Sequence, residues 1–451
     1  MDTLRDYIGW MGDYDFQAVP FGDVDALILC ALSYYDFPAA LAAPGEAADT
    51  GAAKADDSGV AGNDGATADG RAAKNDAAPK ESDAPAADGS AEKDRRDAMD
   101  SPIDAARLPF PAASGIGPAL RDLLPVIERN APRFTALAVR DLDYAALLRE
   151  AARSRRYGAL RLCDCVDIAR PSPPLQFSAM TFIGADGFRF IAYRGTDSTI
   201  AGWQEDFMIS FTHTEAQELA LTYAKRHVGP GPTMLGGHSK GGNLALYAAC
   251  LLDAAEWSAV TRVYLLDSPG LCPEVMDVSC VRRVDARATA IVPAFSIVGR
   301  LFEPALSDQR VIRSSGFSIL QHSLGSWGVD HGRLALARRR DPVSQRLNEI
   351  LQRWIDGIPQ ADRATFVEEL FGALAADGAV TLTDIVRRGP GGIRAVLSHL
   401  RATSRVTKWT AAELPLRALL GDNFDSVVNR FLREERPEEG TETPETPPRD
   451  A

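Results

Sequence analysis

The sequence predicts an α/β protein with a mainly parallel central sheet, and three observations carry the prediction. Apolar runs of strand length at 177–183, 188–193, 260–266 and 288–298 alternate with helix-compatible stretches, the pattern of strands joined by crossover helices. Polar, turn-forming residues follow these runs, as in Arg194-Gly195-Thr196-Asp197 and Asp267-Ser268-Pro269-Gly270, and in such sheets the functional groups gather at the carboxyl ends of strands. Between residues 233 and 249 a short apolar run enters Gly237-His238-Ser239-Lys240-Gly241 and a helix-compatible run leaves it, as where a strand reverses abruptly into a helix.

In chain order, residues 1–42 hold an apolar series that includes Tyr7, Ile8, Trp10, Phe16, Phe21, Leu27 and Tyr35. Residues 23–35 are helix-compatible, and the segment is expected to pack on the core rather than stand alone. Across 43–107 the composition collapses to Ala, Asp, Gly, Lys and Ser, and 61–98 contains no aromatic, Leu, Ile or Val. Such a stretch buries too little apolar surface to offset its ordering entropy, so a disordered insertion is expected. It reads as a loop within one domain, because closure entropy grows only slowly with loop length.

The core is expected over 108–340. Residues 117–155 read as helical. The runs at 177–183 and 188–193 are joined by Gly184-Ala185-Asp186-Gly187, which is hairpin chemistry. Thr214 and Gln217 have the spacing of a capping box for a helix reaching about His227. The strand into Ser239, the apolar runs at 260–266 and 288–298, and a short one beginning at Val311 and Ile312 complete the sheet. From 341 to 433 helical spacing takes over, as in Leu347, Ile350, Leu351 and Trp354, and this is the expected helical extension. Residues 434–451, rich in Glu, Pro and Thr, read as a disordered acidic tail. No internal repeat is present.

Several functions are excluded or demoted by composition. A formal charge of −13 in 451 residues opposes nucleic-acid binding, which needs a basic face. Cys163 and Cys165 are the only closely spaced pair among six cysteines, and they read as buried or incidental thiols rather than a metal site. Gly389-Pro390-Gly391-Gly392 lacks the lysine of a phosphate loop, so neither cofactor nor metal is expected. The amino terminus lacks the apolar core of a secretory signal. No apolar run approaches the roughly 18 residues of a membrane span, and a cytoplasmic location is expected. Arg394, Arg401, Arg405, Lys408 and Trp409 form a modestly basic amphipathic series that would suit weak contact with a membrane surface, although a solvated helix face is the weightier reading.

Ser239 is the candidate nucleophile. The glycines on either side of it remove side chains that would clash in a tight strand-to-helix reversal, and the start of the following helix favours developing negative charge. A serine needs a base and a group to orient that base. Of six histidines, His238 sits in the turn itself and its side chain should diverge from Ser239. His213 and His227 flank the preceding helix, and His399 lies in the carboxyl-terminal region. His322 and His331 follow the last strand, where the α/β-hydrolase order Ser, acid, His places the base; His322 is preferred. Asp267, just after a strong apolar strand, is the preferred acid, with Asp308 in reserve. The backbone N–H groups of Lys240 and Thr196 are the candidate oxyanion donors. Arg194 and Asp206 are expected as a loop-holding pair, and the Lys240 side chain as solvent-facing.

The stretch from Phe190 to Thr196, Trp203, Asp206 and Gly237-His238-Ser239-Lys240-Gly241-Gly242-Asn243 resemble the core of class 3 lipases. With residues 1–38, the Asp267-Ser268-Pro269-Gly270 turn, Ser296-Ile297-Val298-Gly299 and Gln321-His322, the chain more closely resembles an uncharacterised bacterial family of lipase-like α/β-hydrolases. The resemblance covers residues 1–38 and about 108–375. It implies an α/β-hydrolase fold, Ser239 as nucleophile, Thr196 in the oxyanion hole and a histidine near the domain's end. The class 3 pattern also expects an Asp where this chain has Ser296-Ile297-Val298, whereas Asp267 resembles the placement in pancreatic-type lipases. The expected function is hydrolysis of an acyl ester of a small molecule or lipid, with acyl transfer or thioester cleavage using the same residues. The competing expectation is a catalytically silent binding or scaffold protein that keeps the fold.

Overall fold

A computed structural model describes residues 1–41, 115–129, 143–171, 174–196, 200–209, 212–272, 275–316, 318–345 and 388–402, with scattered positions between 348 and 379. The expected insertion at 43–107, the tail at 434–451 and most of the helical extension lie outside them. Residues 1–41 belong to the same compact unit as the chain from 110 onward, so the amino-terminal segment is part of the core.

Seven strands form one sheet in sequential order: β1 (Arg161–Pro171), β2 (Pro174–Ile183), β3 (Arg189–Tyr193), β4 (Thr233–His238), β5 (Val260–Leu266), β6 (Ala288–Pro293) and β7 (Gln309–Ile312). The first three pair antiparallel, and β3 through β7 pair parallel. Strand β1 has no counterpart in the sequence reading. A bulge between Cys163 and Val166 breaks its register, with Asp164 at φ 44°, and this disrupts the two-residue alternation that would announce a strand. The β2–β3 hairpin closes as its residues suggest, with the Gly184 N–H on the Phe188 carbonyl at 2.9 Å.

Sequential strand order has a consequence. Right-handed crossovers between neighbouring parallel strands deliver their helices to one face, so the other face needs a separate cover. Helix α1 (Leu4–Met11), helix α2 (Asp23–Leu32) and helix α3 (Tyr144–Arg153) supply it, forming one core with Phe182, Phe190, Met234, Tyr264 and Ile291 of alternate sheet positions. From Val24 to Leu32 every residue of α2 is buried, as expected of a helix apolar all round. Its one buried acid, Asp25, accepts two bonds from the Arg156 guanidinium at 2.7 Å and one from the Tyr157 hydroxyl at 2.6 Å. Isolated burial of that carboxylate would be very costly, and these three donors offset the cost.

On the crossover side, helix α4 (Ile200–Met208) packs on β2, helix α5 (Glu215–His227) on β2 and β3, and helix α6 (Lys240–Leu251) on β3, β4 and β5. Gln217 accepts the Thr214 N–H at 3.1 Å, holding the start of α5. A helix at Pro390–Ala402 is the described part of the carboxyl-terminal region; Arg405, Lys408 and Trp409 lie outside the described residues. No helix among the described residues is long and apolar enough to cross a membrane.

Candidate active site

A single residue separates β4 from α6. Ser239 joins them at φ 58°, ψ −131°, a backbone strain that a non-glycine residue adopts only when its surroundings impose it. They do so by contact. A Cβ on Gly237 would lie 2.1 Å from the Gly241 carbonyl carbon, and one on Gly241 would lie 2.1 Å from the Tyr193 carbonyl oxygen. Only glycine therefore lets β3, β4 and α6 meet here. The Ser239 N–H donates to the Leu266 carbonyl at 2.9 Å, which brings the end of β5 beside the turn.

Asp267 follows Leu266 directly, is 0% exposed and has φ 43°. Its Oδ2 lies 2.6 Å from His322 Nδ1, while its Oδ1 accepts the Ser296 hydroxyl and the Gly299 N–H, the latter at 3.1 Å. Ser296 is held in turn by Ser344, whose Oγ accepts the Ser296 N–H at 3.0 Å. Asp308 is elsewhere engaged: both its oxygens accept from Arg310 at 2.9 Å, and Thr289 also donates to it. His331 is an exposed residue beside Asp330, at 2.6 Å. His213 lies against Glu218 at 2.7 Å, and His399 against its own helix. Of the histidines weighed from sequence, His322 is the one that contacts Asp267, and His238 lies against His322.

The His238 ring nitrogens meet Tyr34 and His322 rather than Ser239. Nδ1 lies 2.8 Å from the Tyr34 hydroxyl and Nε2 lies 2.8 Å from the His322 carbonyl oxygen. The two imidazoles lie with centroids 4.5 Å apart, their planes tilted by 35°. Burial, and then the neighbouring His322, hold His238 well below the ordinary imidazole range, so it is neutral with one donor and one acceptor nitrogen. The carbonyl can only accept, which assigns the proton to Nε2 and leaves Nδ1 to accept from Tyr34.

The loop after β3 packs against the turn. A Cβ on Gly195 would lie 2.4 Å from the Tyr34 hydroxyl oxygen, 2.6 Å from the His238 carbonyl oxygen and 3.1 Å from Ser239 Cβ. Thr196 comes next, and its hydroxyl donates to Asp206 on α4. Two side-chain expectations are corrected here. Arg194 does not pair with Asp206; it forms a two-pronged bond to Asp167 on β1, both prongs at 2.8 Å, because the hairpin places β1 beneath the loop. Lys240 does not face solvent. It is 1% exposed, and its Nζ donates at 2.8 Å to both Glu205 Oε2 and the Gln176 carbonyl. Gln176 on β2 and Glu205 on α4 supply the acceptors that an inward lysine at the start of α6 needs. Burial pushes the neighbouring Asp206 carboxyl up to about 6, and Lys240 limits that rise.

Glu205, Asn243, Ser296 and Tyr34 were not singled out by sequence. Asn243 accepts from Gln217 at 3.0 Å and donates to the Gly270 carbonyl at 2.6 Å, tying the turn after Asp267 to α6. The Gly-Gly-Asn run after Ser239 was the available signal for Asn243, and the class 3 pattern drew attention to the position of Ser296; nothing local marked Glu205 or Tyr34. Cys163 proves to sit with Asp164 and His227, their polar atoms all within 4.8 Å. Arg226 lies 3.2 Å from the same Asp164 oxygen that faces His227, so a resident cation already meets this carboxylate. Among the described residues Ser239 Oγ makes no hydrogen bond, and Ser239 is 8% exposed.

Comparison with known proteins places this geometry in context. The model of a family described as Mbeg1-like matches residues 151–372, just under half of the chain, and the match is compatible with a lipase-like family. Among solved structures, the "Crystal structure of M37 lipase" aligns at 18% identity and a TM-score of 0.25, over 35% of this chain and 62% of that chain. The aligned part thus spans less than two thirds of that lipase. No curated protein matches.

Proposed function

We propose that the protein is a serine hydrolase that cleaves an acyl ester of a small molecule or lipid, on an α/β-hydrolase core. The observation that carries the reading is the 2.6 Å contact of buried Asp267 with His322 Nδ1, on a loop bonded to the residue next to Ser239. With Nδ1–H donated to Asp267, His322 Nε2 is free to accept a proton. Ser239 Oγ attacks the ester carbonyl as Nε2 takes its proton, and Asp267 stabilises the imidazolium that results. The oxyanion is met by the Lys240 N–H at the start of α6 and by the Thr196 N–H. The Thr196 hydroxyl is occupied by Asp206, so its bond steadies the loop that aims the N–H. Nε2–H then protonates the departing alcohol, and water releases the acyl group by the reverse transfers.

The silent scaffold reading draws on one observation, the Ser239 Oγ without a hydrogen bond. Hydrogen bonds of this kind often tighten only when substrate arrives, so the hydrolase reading is preferred. Fluorophosphonate labelling of wild type, Ser239→Ala and His322→Ala decides between them. Labelling of wild type alone is expected, followed by turnover of p-nitrophenyl esters. A folded wild type that stays unlabelled, with detergent or lipid added, would overturn the hydrolase in favour of the scaffold.

A further inference from the structure

The proposed triad leaves one question of support open. Asp267 fixes one ring nitrogen of His322, but the residue itself lies at the end of a short 3₁₀ turn, Ser318–His322, and such turns are weakly held elements. What anchors its backbone is the His238 imidazole, through the 2.8 Å bond from Nε2–H to the His322 carbonyl. A neutral imidazole can make that bond only when it is protonated at Nε2, and its Nδ1 then needs a donor partner to fix the ring's orientation. That partner is Tyr34, just beyond α2 in the amino-terminal segment and 4% exposed. Its hydroxyl donates to Nδ1 at 2.8 Å.

We propose that Tyr34 and His238 are positioning residues for the base: the chain from the Tyr34 hydroxyl through the His238 ring to the His322 carbonyl holds His322 where its side chain meets Asp267. The proposal rests on the reading of His322 as general base. It gives the amino-terminal segment a part in the site besides covering the sheet. The same Tyr34 hydroxyl lies against Gly195, so one group from beneath the sheet braces both the base-bearing turn and the oxyanion loop. Burial holds the tyrosine far above its ordinary range and the imidazole well below its own, so neither link changes protonation in the working range. This matters because a charged His238, its ring centroid 4.5 Å from that of His322, would oppose formation of the imidazolium that the reaction needs.

Tyr34→Phe tests the chain in the full-length protein, since it removes one oxygen and keeps the ring. In ¹⁵N-histidine spectra, with the His238 signals identified by their loss in His238→Gln, wild type should show His238 neutral and protonated at Nε2. Tyr34→Phe should keep the Nε2–H form and shift the Nδ1 signal to that of a nitrogen without a hydrogen-bond donor. In ester hydrolysis the same variant should lose roughly tenfold in kcat with KM changed less than about twofold, the rate equivalent of one neutral hydrogen bond. In a His238→Leu background it should cost almost nothing further, because both residues act through one link. A wild-type His238 protonated at Nδ1, or an Nδ1 signal untouched by Tyr34→Phe, would overturn the chain. So would unchanged kcat in Tyr34→Phe with Ser239→Ala inactive. An unlabelled wild type would instead overturn the hydrolase reading, and the tautomer spectra register the chain separately.

Discussion

Replacing Asp267 by Asn should abolish turnover while leaving the fold intact, and the local bonding sets the size of the effect. The amide oxygen can keep the bonds from Ser296 and Gly299 that now reach Oδ1. The NH2 group must then face His322 Nδ1, 2.6 Å away in the wild type. A donor cannot meet a donor, so the imidazole is driven to the tautomer protonated at Nε2, the nitrogen that has to take the serine proton. The buried negative charge beside the developing imidazolium is lost as well. Loss of tautomer and charge together corresponds to about 10³–10⁴ in kcat, or about 4–5.5 kcal/mol of transition-state stabilisation. Initial rates on p-nitrophenyl esters, with circular dichroism to establish folding, read the effect directly. Asp308→Asn is the paired control: its partner Arg310 is partly exposed, so the change should cost at most about 1 kcal/mol of stability and leave kcat unaltered. An Asp267→Asn variant that keeps a tenth of wild-type kcat, or an Asp308→Asn variant that loses it, would refute the assignment of the acid.

Gly195→Ala should reduce kcat about 100-fold, because the added methyl would press on Tyr34, His238 and Ser239 at once and displace the oxyanion loop by a good fraction of an ångström; turnover within threefold of wild type would contradict the packing. Lys240→Met should destabilise by about 3–5 kcal/mol in urea unfolding, since it strands buried Glu205, and an unchanged midpoint would mean that the pair is not formed. Asp206 supplies a pH test. Its folded value of about 6 exceeds the ordinary 3.8, so between those values the folded chain holds a proton that the unfolded chain has released. This group's contribution to stability therefore falls as pH rises from about 4 to 6. Asp206→Asn should raise Tm relative to wild type above pH 6 and show no gain below pH 4; a gain confined to acid would reverse the sign and reject the argument.

What could be read from sequence was local in origin. The glycines around Ser239, the Gly184–Gly187 hairpin and the Thr214–Gln217 spacing each declare themselves within a few residues, and β3 to β7 follow from apolar runs of strand length. Strand β1 escaped because its bulge at Asp164 hides the alternation. The direction of the Lys240 side chain escaped for a different reason. A lysine one residue past a nucleophile is by default solvent-facing, and only the arrival of α4 and β2 supplies Glu205 and the Gln176 carbonyl to receive it. Likewise Arg194 had Asp206 as its expected partner, and the sheet brought Asp167, a residue of the unread strand.

The placement of the acid follows from the same nonlocal geometry. The class 3 pattern wants an Asp after β6, where this chain has Ser296, and the acid that contacts His322 comes one strand earlier. Neighbouring parallel strands end side by side, so their carboxyl ends present nearly equivalent positions to one base. Ser296 does not leave the β6 position empty: its hydroxyl donates to Asp267, while Ser344 and Asn348 fix its backbone. The carboxylate on β5 is thus gripped from the strand that might have carried it. A sequence pattern that demands an acid at a fixed point in the chain would miss this site, whereas one that demands a carboxylate at that edge of the sheet, with a hydroxyl opposite, would find it.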